Sequence, residues 1–269
     1  MRNRKMHRKA LYAGAALTLA LAVSGCGKAG GESGGQLEAI KQSGKLVIAT
    51  EGQWAPWTYH DESGELVGFD VEVAKEIAEH IGVEAEFIEG EWDGLFAGLD
   101  AGRYDIIANG VEWTEERAEK YDFSTPYGYI RTSLIVRNDN NEIRSFEDLK
   151  GKITTNSIAS TYEQIARSYG VADVLGVDTI DETINLVIAG RADATLNANV
   201  SFYDYMSVHP EAPIKEVAQT RDASSVVIPI RKGEDDFRKA VDEAIKAMNV
   251  SGSLSEISRK YFGSDITEP

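Results

Sequence analysis

Apolar residues recur along this chain in two alternating rhythms. Short runs rich in β-branched residues read as strands: 45–50 (Lys-Leu-Val-Ile-Ala-Thr), 84–88, 104–108, 133–136 and 226–230. Between them, apolar residues fall on one side of a helical period. Phe69, Val73, Ile77 and Ile81 stand four residues apart with Ala74 and Ala78 beside them, which predicts an amphipathic helix over 68–81 facing a core. Further helices are expected over 36–43, closed by Gly44, over 92–99, in the segment that runs to Ser168, over 234–248, and over 254–262, closed by Gly263. Strands alternating with helices specify an α/β chain. Parallel strands deliver their carboxyl ends to a shared crevice, so the loops after strands are the places to look for ligand contacts.

The pattern restarts partway along. Ala101-Gly102-Arg103-x-Asp105-xxx-Asn109 returns as Ala189-Gly190-Arg191-x-Asp193-xxx-Asn197, each reading as helix end, tight turn and strand. The segment 145–153 likewise echoes the region around Gly44-Lys45-Leu46. A β-α-β unit repeated at long range argues for two similar lobes that face one another. The expected division is lobe one over 36–131 and 222–269, lobe two over 132–221, with crossovers near 130–133 and 221–225.

The first 25 residues read as a removable leader: a basic stretch, then the apolar run 10–23, too short for a comfortable membrane span. Val23-Ser24-Gly25-Cys26 resembles a lipobox, which would make Cys26 the lipidated first residue. Residues 26–35, Gly-rich from Gly27, read as a flexible tether. The whole chain carries 28 basic and 44 acidic residues. Without the five basic residues of the leader, 23 face 44, a net charge of −21. So acidic a body argues against nucleic acid and against binding to anionic lipid, leaving a lipid anchor as its expected hold on a membrane.

Candidate chemistry concentrates where the strand 104–108 ends. Asn109, Gly110 and Glu112 sit at its carboxyl end. Thr114 reads as a helix N-cap, Glu115 and Glu116 fill the first turn, and Arg117 follows. A guanidinium beside free backbone N–H groups is a receptor for a carboxylate. Pairing of Arg117 with a neighbouring Glu on a solvated helix is equally open. Trp54 and Trp57, around Ala55-Pro56 after the first strand, suggest an aromatic wall or simple loop packing. Ser160 and Thr161 precede a helix and suit a carboxylate or plain N-capping. Nothing reads as catalytic, and no cofactor or metal is expected. No two of His7, His60, His80 and His209 have metal-ligand spacing, and no nucleophile elbow or phosphate loop is present.

The run Gly-Phe-Asp-Val-Glu-Val from Gly68, with Ile77, Ala78 and Ile81, resembles the signature of solute-binding protein family 3, the polar amino-acid-binding proteins of ABC importers. Tyr-Asp-Phe-Ser-Thr-Pro-Tyr over 121–127, Trp92-Asp93-Gly94 and Ala-Asp-Ala-Thr-Leu-Asn over 192–197 are similar to its cystine-binding group. The resemblance implies a two-lobed periplasmic-binding-protein type II fold, each lobe a β-sheet flanked by helices and the two joined by two crossovers. It implies a monomeric, lipid-anchored receptor on the extracytoplasmic face of the cell membrane, serving an ABC permease and its ATPase. Cystine or a similar polar amino acid is the favoured ligand. Arg117 would hold its α-carboxylate, Trp54 would stack on its side chain, and Trp92 would close the pocket or merely pack. Asn197 and Asn199 would supply polar groups from lobe two. Two positions depart from the family. Ala198 stands where an Asp usually holds the α-ammonium, and Glu112 stands where Ser or Thr is usual. Glu112 taking over the ammonium is the expectation drawn from them; a basic ligand side chain facing Glu112 is the alternative. The family also includes a dehydratase acting on a cyclic acid, so an enzyme on the same scaffold is the rival reading.

Overall fold

The structure, a computed structural model, describes residues 35–269. The leader over 1–25, Cys26 and all but the last residue of the tether lie outside the described residues. Helix α1 (Gln36–Ser43) stops at Gly44, whose φ of 72° lies in the left-handed region that glycine enters at little cost. The chain then forms β1 (Lys45–Thr50) and three short strands, β2 (Gln53–Trp54), β3 (Thr58–His60) and β4 (Leu66–Val67). Next come α2 (Phe69–Ile81), β5 (Glu84–Glu89), α3 (Trp92–Asp100) and β6 (Ile106–Ile107). β1 lies between β5 and β6, parallel to both. Helix α2 buries Phe69, Val73, Ala74, Ile77 and Ala78, the stripe its spacing predicts. Each large side chain so covered contributes about 1.5–3 kcal/mol of hydrophobic stabilisation. The short α4 (Glu115–Ala118) follows, and the Thr114 hydroxyl caps it by accepting from the Arg117 N–H at 3.2 Å.

The chain leaves this lobe through β7 (Tyr121–Phe123) and β8 (Gly128–Ile130) and enters the second as β9 (Thr132–Arg137). There it builds β10 (Ile153–Asn156), α5 (Thr161–Ser168), β11 (Asp173–Gly176), α6 (Ile180–Ile188), β12 (Ala194–Ala198), α7 (Asn199–Val208) and β13 (Ile214–Gln219). The five strands are ordered β11-β10-β12-β9-β13. The chain comes back as β14 (Ser224–Val226) and β15 (Pro229–Arg231). The single return strand expected over 226–230 is therefore two. β14 pairs with β8 and β15 with β7, both antiparallel. Between them Val227 N donates to the carbonyl of Val111 and Ile228 N to the Ser124 hydroxyl. Those two residues serve the loops rather than a ladder. Helices α8 (Asp235–Ser251) and α9 (Ser253–Phe262) then pack on α2, which completes lobe one.

The repeat is structural. β5-β1-β6 and β11-β10-β12 have the same order and direction. Gly102 and Gly190 take φ of 67° and 69° at the ends of α3 and α6. Asp105 then bonds β1 through its N–H to the Val47 carbonyl and through its carboxylate to the Val47 N–H. Asp193 does the same to Ile153 of β10. The strand expected over 104–108 is shortened to Ile106–Ile107, which pair with β1 alone, whereas β12 is longer because it also pairs with β9.

Candidate functional site

The carboxyl ends of β1, β6, β10 and β12 converge on a cleft between the lobes, about 580 Å³ of empty space when the solvent at its mouth is included. Its lobe-one wall carries Glu51, Gln53, Trp54, Trp92, Gly110, Glu112 and Arg117. Its lobe-two wall includes Asn156, Ser160, Thr161, Tyr162, Asp178 and Asn197. Gly110 has φ of 56°, and a Cβ there would fall 2.6 Å from the Trp54 ring. The indole therefore packs closely against glycine, where a side chain would collide with it. Trp54 in turn stacks on Trp57, ring centres 5.4 Å apart. The Gly110 N–H donates to the carboxylate of Asp70, which is wholly buried on α2 and also accepts from the Tyr127 hydroxyl at 2.9 Å. Burial pushes the Asp70 carboxyl up to about 7, against the pull of those two donors.

Arg117 is 8% exposed. Its guanidinium donates to the carbonyl of Glu112 at 2.8 Å and reaches the carbonyl of Ala159, in lobe two, at 3.5 Å. It also lies over the rings of Trp92 and Phe96, 5.3 and 5.2 Å from their centres. Its partners are thus carbonyls and rings, not a carboxylate. Pairing on a solvated helix, one of the two readings open from sequence, is not what the geometry has. Burial lowers the guanidinium's pKa, and the nearby Glu112 charge opposes that effect. Glu112 is itself buried and accepts a hydrogen bond from the Thr161 hydroxyl across the cleft.

Glu51, at the end of β1, has no counterpart among the residues expected from sequence. The Asn109 side-chain N–H donates to its carboxylate at 2.5 Å. Burial raises the Glu51 carboxyl to about 7; the Asn109 bond opposes the rise, while Glu91 and Asp178 add to it. The signal available was the strand-end rule that pointed to Glu112, applied to β1, the strand paired with β6. Asn156 at the end of β10, Tyr162 in the first turn of α5 and Asp178 in the loop before α6 were also missed, because these elements reach the cleft only once lobe two has folded.

Trp54, Trp92, Gly110, Glu112, Arg117, Ser160, Thr161 and Asn197 are brought together on the cleft walls. Two expected residues are not. Asn109 is fully buried behind the wall, where its carbonyl oxygen accepts from the Glu51 N–H at 2.8 Å and the Thr50 hydroxyl at 3.1 Å. Asn199 begins α7 away from the cleft. It clips the first crossover, accepting from the Arg131 N–H at 3.0 Å and donating its own N–H to the Arg131 carbonyl. Ser160 lines the cleft, but its hydroxyl is committed as the N-cap of α5 and to the Ser157 carbonyl. Trp57 belongs to the core: it is wholly buried, with its indole N–H on the Ser201 hydroxyl at 2.9 Å. No cluster of three or more metal-ligating side chains exists among the described residues.

Residues 46–264 match the bacterial extracellular solute-binding proteins, family 3. The chain belongs to that family. A probable amino-acid ABC transporter-binding protein of Haemophilus influenzae is 38% identical, covering 97% of this chain and 100% of the relative. The L-cystine-binding protein TcyA of Bacillus subtilis is 36% identical, covering 93% and 94%. Among solved structures, an ancestral arginine-binding protein bound to arginine superposes with a TM-score of 0.76 at 35% identity, covering 82% of this chain and 99% of that one. For a family 3 solute-binding protein the two-lobed type II architecture and the cleft between its lobes are the expected frame. Position 198 is a fully buried alanine in this member, so β12 offers no acid there.

Proposed function

We propose that this protein captures a polar amino acid, cystine or a close relative of it favoured, and delivers it to an ABC permease and its ATPase. The observation that carries the reading is Arg117, a buried guanidinium on the cleft wall held by carbonyls and rings rather than by an acid. A ligand carboxylate supplies the missing anion, and two parallel charge-assisted bonds contribute roughly 3 kcal/mol or more in a closed site. Glu112, beside Arg117, takes the α-ammonium. Trp54 stacks on the ligand side chain and Trp92 closes over its carboxylate end. The remaining acids of the wall, Glu51 and Asp178, suit a second cationic group. That charge layout fits the second ammonium of cystine, and cystine is what TcyA is named for. A guanidinium side chain would meet the same acids.

The lobes divide as 36–131 with 222–269 against 132–221 and close by a hinge at the paired crossovers. Lipidation at Cys26 and the tether over 26–35 would hold a monomeric body at the outer face of the membrane. A thermal-shift screen of the mature protein against the common amino acids plus cystine tests the reading. The ligand raises the melting temperature in proportion to RT ln(1 + [L]/Kd). Arg117→Lys is expected to weaken binding by about ten-fold or more, because a point charge cannot reproduce the fork. Absence of a shift with every amino acid, or an unaffected Arg117→Lys protein, overturns it.

A further inference from the structure

Two oxygen atoms in the cleft wall lack what their burial requires. Asn156, the last residue of β10, is 1% exposed. Its side-chain nitrogen donates to the Leu196 carbonyl at 2.8 Å. Only nitrogen can face a carbonyl, so the amide orientation is fixed. The amide oxygen is turned elsewhere and has no donor among the described residues. Tyr162, in the first turn of α5, is 7% exposed, and its hydroxyl likewise has no partner. That hydroxyl lies near Glu112, Arg117 and the backbone N–H of Ala198. The N–H of Ala198 is already taken by the Asn197 side-chain oxygen at 2.8 Å. Buried polar atoms are normally satisfied, and one left alone is costly. Both residues line the cleft, so donors from a ligand are the natural complement.

An ammonium group brings three N–H donors and needs a nearby negative charge. We propose that Asn156 Oδ1, Tyr162 Oη and the Glu112 carboxylate form a three-oxygen cage for one ligand ammonium, resting on the amino-acid reading above. Glu112 supplies the charge. Its Oε1 holds the Thr161 hydroxyl, and its second oxygen completes the cage. Tyr162 accepts from the ammonium while its own proton turns to Glu112. The two neutral oxygens come from lobe two, whose wall has alanine at 198. The cage therefore spans both lobes and assembles as they close.

The test compares L-arginine with 5-guanidinopentanoic acid, which lacks only the α-ammonium, and L-cystine with 3,3′-dithiodipropionic acid, which lacks both of its ammonium groups. Binding is measured on wild type, Asn156→Leu and Tyr162→Phe. The preference for the amine over its analogue is expected to fall by about ten-fold or more in each variant. Tyr162→Phe is expected not to lower the ligand-free melting temperature, because the buried hydroxyl it removes has no partner. Unchanged affinity for the amino acid in both variants overturns the cage, as does an equal loss for amine and analogue; either result leaves the amino-acid reading standing. Failure of the wild type to bind either amino acid overturns both.

Discussion

The two raised carboxyls of lobe one, Glu51 and Asp70, are set up differently and so respond differently to change. Asp70 is locked by two donors inside the core, whereas Glu51 faces the cleft with one oxygen on Asn109. Each binds its proton more tightly folded than unfolded. Between the ordinary 4.5 and about 7 for Glu51, the unfolded chain therefore holds fewer protons than the native one, and raising pH across that window lowers stability. Asp70 acts in the same sense from 3.8 to about 7. Glu51→Gln is expected to flatten, without abolishing, the fall of the ligand-free melting temperature across the window; a slope equal to wild type would show Glu51 ionised throughout. Sequence reasoning reached Glu112 because it follows a strand end and Arg117 because it follows an N-cap, each within a few residues. It placed Asn109 on the cleft wall because that residue ends an apolar strand, and Asn199 because the family resemblance puts polar groups of lobe two there. Neither side chain lines the cleft: Asn109 ties the Glu51 backbone and carboxylate together, and Asn199 holds the Arg131 N–H of the crossover.

At the scale of elements, the repeat was legible because its turn chemistry is local: a left-handed glycine, then an Asp that reaches the next strand. What differs between its copies comes from distant chain. Asp105 also accepts from the Gln36 side chain at 2.9 Å, tying α1 to the start of β6, whereas Asp193 has, among the described residues, only its strand partner, Ile153. Asp193→Ala is expected to cost about 1 kcal/mol in denaturant unfolding and Asp105→Ala about 2 kcal/mol, the difference being the second acceptor oxygen. Equal losses would mean the Gln36 bond contributes nothing. The return strand was misjudged as one because its apolar run is continuous. Which outgoing strand each half meets depends on lobe two lying between them in sequence.

The whole molecule stands with its lobes in contact. Thr161 meets Glu112, Arg117 reaches Ala159, Gln164 meets Glu116 at the rim, and Trp57 meets Ser201 on α7. The last of these touches nothing in the cleft directly, yet Trp57 backs Trp54, which does. Ser201→Ala leaves a buried indole N–H without an acceptor, and its expected effect is faster ligand release with little change in which amino acid is preferred. Stopped-flow dissociation checks it, and the double variant Trp57→Phe with Ser201→Ala separates the causes. Restored stability with release still fast marks a closure contact, and recovery of both marks a purely structural one. Two lobes were readable in the sequence from the repeat; this contact was not, since it joins residues 144 apart.

That indole bond also makes the molecule its own optical gauge. Trp57 lies in the core of one lobe and hands its N–H proton to the other, so opening would strip the ring of its partner and shift its emission. Intrinsic fluorescence would then follow each capture and release with no dye attached, and the Trp57→Phe protein would be the blank.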